Sequence, residues 1–245
     1  SVELSTNGSL MSLSFPDPTA ALGAPAPRAD VYLSNKARVN VASSNGGSIA
    51  INARNVDISA ESELRGGIEE GMGFPDATGG DITLNATGEI AIANGFILNT
   101  VGTGAVGKGG NIDITSESLS VSNGAQLQAN TFGQGNAGSV NIHALDTALF
   151  DGVGSNRRSS GAYSRVGKEA VGNSGGINIT TGSLVLTNGA QLSPSTSGHG
   201  NAGSVNIHAS RVSFDGAGRN RASSGVLSTV EEGAVGNAGD INVMT

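Results

Sequence analysis

Apolar and polar residues alternate in short bursts along this chain, and the bursts recur at a regular distance. The apolar pairs are Ile49/Ile51, Ile82/Leu84, Ile112/Ile114, Val140/Ile142, Ile177/Ile179, Val205/Ile207 and Ile241/Val243. Successive side chains on a strand point to opposite sides, so each pair marks the inward face of a strand. The residue between, which faces outward, reads Ala50, Thr83, Asp113, Asn141, Asn178, Asn206 and Asn242. Four asparagines in one register predict a ladder of side-chain amides along the surface. Each burst follows a glycine corner. It reads Gly135-Asn136-Ala137-Gly138 and Gly200-Asn201-Ala202-Gly203, with looser copies starting at Gly46, Gly79, Gly109, Gly172 and Gly236. The second glycines stand at Gly47, Gly80, Gly110, Gly138, Gly175, Gly203 and Gly239, in steps of 33, 30, 28, 37, 28 and 36 residues. A turn-plus-strand recurring at this period marks a solenoid. A helical repeat would need long segments of 3.6 periodicity, and none is present.

Two further strands complete each unit. The second carries Val56/Ile58, Ile90/Ile92, Leu119/Val121, Ala148/Phe150, Leu184/Leu186 and Val212/Phe214. It usually ends in Asn-Gly or Asp-Gly: Asn94-Gly95, Asn123-Gly124, Asp151-Gly152, Asn188-Gly189 and Asp215-Gly216. These dipeptides are hairpin signals when they join alternating runs. Here the strands recur in constant order, so the dipeptide serves a corner between parallel layers, where glycine supplies backbone angles that other residues avoid. The third strand is short, as in Phe96-Ile97-Leu98, Ala125-Gln126-Leu127, Gly161-Ala162-Tyr163, Ala190-Gln191-Leu192 and Gly225-Val226-Leu227. In the longer units an insertion precedes it, Val153–Ser160 in one and Ala217–Ser224 in the other.

Three strands per unit predict an all-β, triangular parallel β-helix (a β-solenoid) with about 28–37 residues per coil. Its crossovers should be right-handed, as parallel connections nearly always are. Six complete coils at about 4.8 Å each give a rod section of about 30 Å. Residues 37–245 carry the repeats. Residues 1–36 read as an irregular N-terminal coil: Val2-Glu3-Leu4-Ser5 is taken as a second strand of an earlier coil. Pro16, Pro18, Pro25 and Pro27 then form an extruded loop before Val39 and Val41 resume the inward pattern.

Composition fits a narrow aliphatic interior. The chain has 39 Gly, no Trp and 3% aromatics, too little bulk for an ordinary globular core, whereas stacked coils fill their inside with aliphatic ladders. A net charge of −7 argues against non-specific binding to nucleic acid or anionic lipid. The absence of cysteine is compatible with export in an unfolded state. No apolar run reaches the length of a membrane helix. No signal peptide and no initiator Met are visible, and the last strand falls in mid-repeat, so the chain reads as a segment of something longer.

Candidate chemistry is sparse. Gly172-Asn173-Ser174-Gly175-Gly176 has the look of a protease nucleophile loop, but the same slot holds Asn-Ala-Gly in other coils, so Ser174 reads as a turn residue. His143 and His208 occupy equivalent outward positions two coils apart, about 10 Å, too far to share a metal ion. Glu61, Glu63, Glu69, Glu70 and Asp76 are expected to gather in one early loop and read as solvated. Catalytic, metal and cofactor residues are therefore expected to be none. Arg157, Arg158, Arg219 and Arg221 project from the two insertions at one corner, and their guanidinium forks suit sulfate, phosphate and carboxylate groups. They are the candidate contacts for a glycan or another polyanion.

The Gly-Asn-Ala-Gly corner, the Val/Ile-x-Ile strand, Ser118–Leu127 and its copy Ser183–Leu192, and Glu231–Gly236 together resemble the repeat region of filamentous-haemagglutinin-like exoproteins of two-partner secretion, cyanobacterial type. That resemblance implies a right-handed β-helix, export through an outer-membrane partner, an extracellular or cell-surface location, and adhesive or filament-forming roles. The sequence thus points to a structural or adhesive rod segment without enzymatic activity, with surface glycans and end-to-end self-association as its expected contacts. The alternative is a polysaccharide-active β-helix enzyme, which would need carboxylates grouped on one face.

Overall fold

The computed structural model describes residues 3–5, 11–14 and 28–245. The proline-rich stretch 16–27 lies outside the described residues. Every strand-to-strand ladder in the two large sheets is parallel, and the described residues contain no helix. The protein is a β-solenoid. Its first-strand ladder pairs Ile49 with Ile82, Ile82 with Ile112, then Val140, Ile177, Val205 and Ile241 in turn, the register expected from the glycine corners. Six coils separate Ile49 from Ile241.

The three strand positions of each coil are present, but the first two fuse. In the later coils they form single strands, Ile112–Ser122, Val140–Asp151, Ile177–Thr187 and Val205–Asp215. The inward series runs Ile112, Ile114, Ser116 and then Leu119, Val121, so the alternation skips a residue at Glu117. Pairing slips at the same place, between Ser116 and Ser118 and between Ala144 and Thr147, which bends the strand into two faces. The third face is a separate sheet containing Phe96–Val101, Gln126–Thr131, Gly161–Val166 and Gln191–Thr196. These strands are six residues long, twice what the sequence pattern indicates.

Stacking also reaches upstream of residue 37. Val31–Leu33 pairs with Val56, Asp57 and Ile58 on the second face. Glu3–Ser5 pairs with Arg38–Asn40 on the third face, so it is a third strand and not the second strand expected of it.

Inside, the coils superpose aliphatic residues in columns. Ile49, Ile82, Ile112, Val140, Ile177 and Val205 form one fully buried column, and Ile58, Ile92, Val121, Phe150 and Leu186 another. Outside the first face, the expected amide ladder is present. Asn242 Nδ2 donates to Asn206 Oδ1 at 2.9 Å, Asn206 to Asn178 at 2.9 Å, Asn178 to Asn141 at 2.8 Å, and Asn141 to Asp113 at 2.7 Å.

The corners explain the glycines. An added Cβ on Gly138 would lie 1.9 Å from the Gly110 carbonyl oxygen, and one on Gly203 would lie 1.6 Å from that of Gly175. The carbonyl of one coil stands where a side chain of the next would begin, so only glycine allows the layers to close. The Asn of the same corner has its own task. Asn136 Oδ1 accepts the backbone N–H of Asn173, Asn173 Oδ1 that of Asn201, and Asn201 Oδ1 that of Asn237, each at 2.9 Å. Asn99, Ser164 and Ser228 face inward on the third face and reach across to the same corners. Asn99 Nδ2 donates to the Gly80 carbonyl at 2.9 Å, Ser164 Oγ to Gly138 at 2.8 Å, and Ser228 Oγ to Gly203 at 2.9 Å. Buried corner groups thus stay hydrogen-bonded, as buried backbone must.

Two substitutions test this account. Ile142→Asp places a carboxylate in the buried column and should destabilise by several kcal/mol, of the order of 4. Gly138→Ala should cost about 1–3 kcal/mol by overpacking, whereas Gly225→Ala, whose Cβ would meet nothing within 4 Å, should stay within about 0.5 kcal/mol. Thermal melting of the three variants checks the order; equal melting of Gly138→Ala and Gly225→Ala would show that the corner has room.

Candidate functional site

The two insertions sit at the corner that leads into the third face. Each folds back on itself. Val153 bridges Ser159 in antiparallel fashion, and Ala217 bridges Ser223. Gly154 N donates to the Arg158 carbonyl and Gly218 N to the Ala222 carbonyl, both at 2.8 Å. The apex residues Arg157 and Arg221 have φ of 66° and 68°, the left-handed region that a tight reversal requires. Although two coils apart, the loops touch. Arg219 Nε donates to the Val153 carbonyl at 3.0 Å, a second guanidinium nitrogen joins it on the same oxygen, and Asn220 Nδ2 donates to the Arg157 carbonyl and to Ser159 Oγ, each at 3.1 Å.

The four arginines therefore do not stand alike. Arg219 is engaged in joining the loops. Arg157 and Arg221 are exposed at the two apices. Arg158 turns toward the third face, where its guanidinium lies 5.6 Å from the centre of the Phe96 ring.

A fifth arginine completes the arrangement. Tyr163 and Arg165 lie on the same outward side of one strand, and the Arg165 guanidinium lies 4.0 Å above the Tyr163 ring. Tyr163 is only 1% exposed although it faces away from the core. Its hydroxyl donates to the Ser159 carbonyl at 3.1 Å, so the insertion helps to cover it. Burial pushes the Tyr163 phenol up from its ordinary pKa, with the Arg165 charge opposing, and burial likewise lowers that of Arg165. The spacing Tyr-x-Arg on a strand was the signal for this pair, since residues two apart share a face.

Arg158 and Arg165 flank a groove of about 530 Å³ whose floor is Phe96, Leu98, Gln126 and Gln128, with Glu63 at one end. Arg165 also borders a second groove of about 370 Å³, with Gln191, Ser193, Ser195, Thr229 and Glu231. The floor is wired by amides. Asn130 Nδ2 donates to Gln128 Oε1 at 2.9 Å, Gln128 Nε2 to Gln126 Oε1 at 2.6 Å, and Gln126 Nε2 to the Ser159 carbonyl at 3.1 Å.

Other sequence candidates fall elsewhere. Ser174 is a corner residue: its hydroxyl lies 2.6 Å from the Ser164 carbonyl oxygen and 2.9 Å from that of Gly175. His143 and His208 flank Thr180 in the ladder, hence two coils apart as expected. The early acidic residues do not form one loop. Glu61 pairs with Lys36 at 3.2 Å, and Glu63 belongs to the third-face strand Glu63–Ile68, where it pairs with Arg38 at 3.6 Å. Among the described residues no three His, Cys, Asp or Glu side chains gather as metal ligands, and no helix is long and apolar enough to cross a membrane. Comparison with protein-family models, with curated proteins and with solved structures finds no match for this chain.

The short coils cross the insertion corner with three residues, 123–125 and 188–190, by the register of the flanking strands. Removing residues 153–158 leaves Gly152, Ser159 and Ser160 to do the same. This deletion should preserve the β-sheet circular dichroism spectrum while opening Tyr163 to solvent. Acrylamide quenching of tyrosine fluorescence should then rise, and the phenol should titrate closer to its ordinary value. Loss of β-structure would mean that the insertion is part of the coil and not an addition to it.

Proposed function

We propose that this chain is a structural and adhesive rod segment of a large secreted or cell-surface protein, of the filamentous-haemagglutinin-like kind, holding contact residues along its side. The observation that carries this reading is the unbroken coil-to-coil bonding, which runs through corners as well as strands. Gly135, Gly172 and Gly200 N–H groups each donate to the next coil, at 2.8, 2.9 and 2.8 Å. Such a body resists bending and keeps its side loops at fixed spacing. Export of the parent protein through an outer-membrane partner, end-to-end continuation of the rod and contact with surface glycans belong to the same proposal. The third face and its insertion loops are the contact surface.

A second reading, action on polysaccharides, draws on one feature. Glu63 Oε1 is buried at the end of the larger groove without a hydrogen-bond partner. Hydrolysis by the usual route takes two carboxylates about the scissile bond, and among the described residues Glu63 is the one carboxylate bordering that groove.

The two readings separate in one experiment. The chain is run against acidic and neutral polysaccharides in affinity electrophoresis, and the same mixtures are assayed for new reducing ends and unsaturated products. Retardation without new chain ends is the expected result. Release of new ends that disappears in Glu63→Gln would overturn the adhesive reading in favour of catalysis.

A further inference from the structure

The groove of the third face has a surplus of hydrogen-bond donors. Arg158 and Arg165 both border it, and each rests on an aromatic ring. Among the described residues neither guanidinium has a carboxylate within ion-pair distance or a hydrogen-bond acceptor. A guanidinium carries five N–H donors in a fixed fork, so two of them leave many donors unused. The amides between them add to the excess. The oxygens of Gln126, Gln128 and Asn130 each accept a bond already: Gln126 from Gln128, Gln128 from Asn130, and Asn130 from the backbone N–H of Arg165 at 3.0 Å. Each of their NH₂ groups spends one hydrogen on a protein partner and has one to spare. At the far end stands a different chemistry, the Glu63 carboxylate, which pairs with Arg38 at 3.6 Å and has its other oxygen enclosed, so the anion-accepting part of the groove is the arginine end.

We infer that this groove is a binding site for an acidic saccharide, lodging one carboxylate or sulfate group between Arg158 and Arg165 and neighbouring hydroxyls against Gln126 and Gln128. The inference rests on the third face being the contact surface of the rod and gives that surface its ligand. The two arginines are held in different ways, which suits the task. Arg165 is fixed to the sheet by its stacking on buried Tyr163. Arg158 is carried by the insertion loop, so the insertion builds one wall of the site. Guanidinium forks match the paired oxygens of a carboxylate or sulfate, and the fit is directional. Arg165 also borders the second groove, where Ser193 and Ser195 offer hydroxyls and Thr229 donates to Glu231 at 3.3 Å, so a longer chain passing over Arg165 along the rod axis would set a neutral residue against that carboxylate.

The test is calorimetric titration of the full 245-residue chain with three linear hexasaccharides: a hexauronide, a sulfated hexasaccharide and neutral cellohexaose. At least one acidic probe should bind, its affinity should fall with salt, and the neutral probe should bind much more weakly. Arg158→Gln and Arg165→Gln should each weaken binding about tenfold or more. Arg157→Gln and Arg221→Gln, at the loop apices, should change it by less than about twofold. Arg165→Lys keeps the charge and the cover on Tyr163 but lacks the fork, so it should fall between wild type and Arg165→Gln. The two acidic probes distinguish carboxylate from sulfate as the preferred group. Equal binding of the neutral probe, no binding of any probe, or equal losses in the apex and groove variants would overturn the site. Cleavage of a probe by wild-type protein, with binding still lost in Arg158→Gln, would sink the non-enzymatic reading and leave the site standing.

Discussion

Everything in this structure depends on the vertical spacing between coils, set by parallel backbone pairing at about 4.8 Å. Strands meet that spacing without special residues. Corners do not, because the chain must turn while its peptide groups remain close enough to bond the layer below. At Gly138 and Gly203 the carbonyl of the preceding coil occupies the place of a Cβ. The corner is therefore the most demanding point of the coil, and the residue types there are the most repetitive in the chain. Asn beside the glycine supplies a side-chain oxygen to the backbone N–H of the next layer. The alternating aliphatic residues then only need to fill the interior, which is why Ile, Val and Leu interchange freely along one column.

The period-two pairs, the parallel register and the outer asparagine ladder were legible in the sequence because each follows from a fixed geometric interval. The interior polar residues were not. Asn99, Ser164 and Ser228 sit where alternation calls for apolar side chains, and their purpose appears only when the opposite corner is brought across the core. The sequence pattern marks only three residues of the third face because its outward positions are not reliably polar. Tyr163 faces outward yet is covered by Arg165 and the insertion, so the simple inward-outward rule breaks there. Sequence position marks the arginines of the two insertions and nothing more. Arg165 lies in a strand, outside both insertions, and the bond from Arg219 to the Val153 carbonyl appears only when the two loops are brought together.

The long and short coils take different parts in the architecture. Short coils cross the corner in three residues and keep the stack regular. Long coils carry the insertions, and because they alternate with short ones the insertions have room to lean over the intervening coil and touch each other. The result is a continuous wall along one edge of the third face, built from segments that the repeat itself does not require. On the face behind that wall an aromatic ring, guanidinium groups and amides converge.

The asparagine ladder on the first face ends on Asp113, and a carboxylate has no hydrogen to give. Asn141 must therefore turn its NH₂ toward Asp113 and its oxygen toward Asn178. That choice forces the same orientation on Asn178, Asn206 and Asn242 in succession. A single acidic residue thus sets the direction of four amide dipoles, and a flip of Asn141, Asn178 or Asn206 would bring oxygen against oxygen at one neighbour and NH₂ against NH₂ at the other. The column is a polar wire with a defined head and tail, so the rod has electrical as well as chain direction along this face.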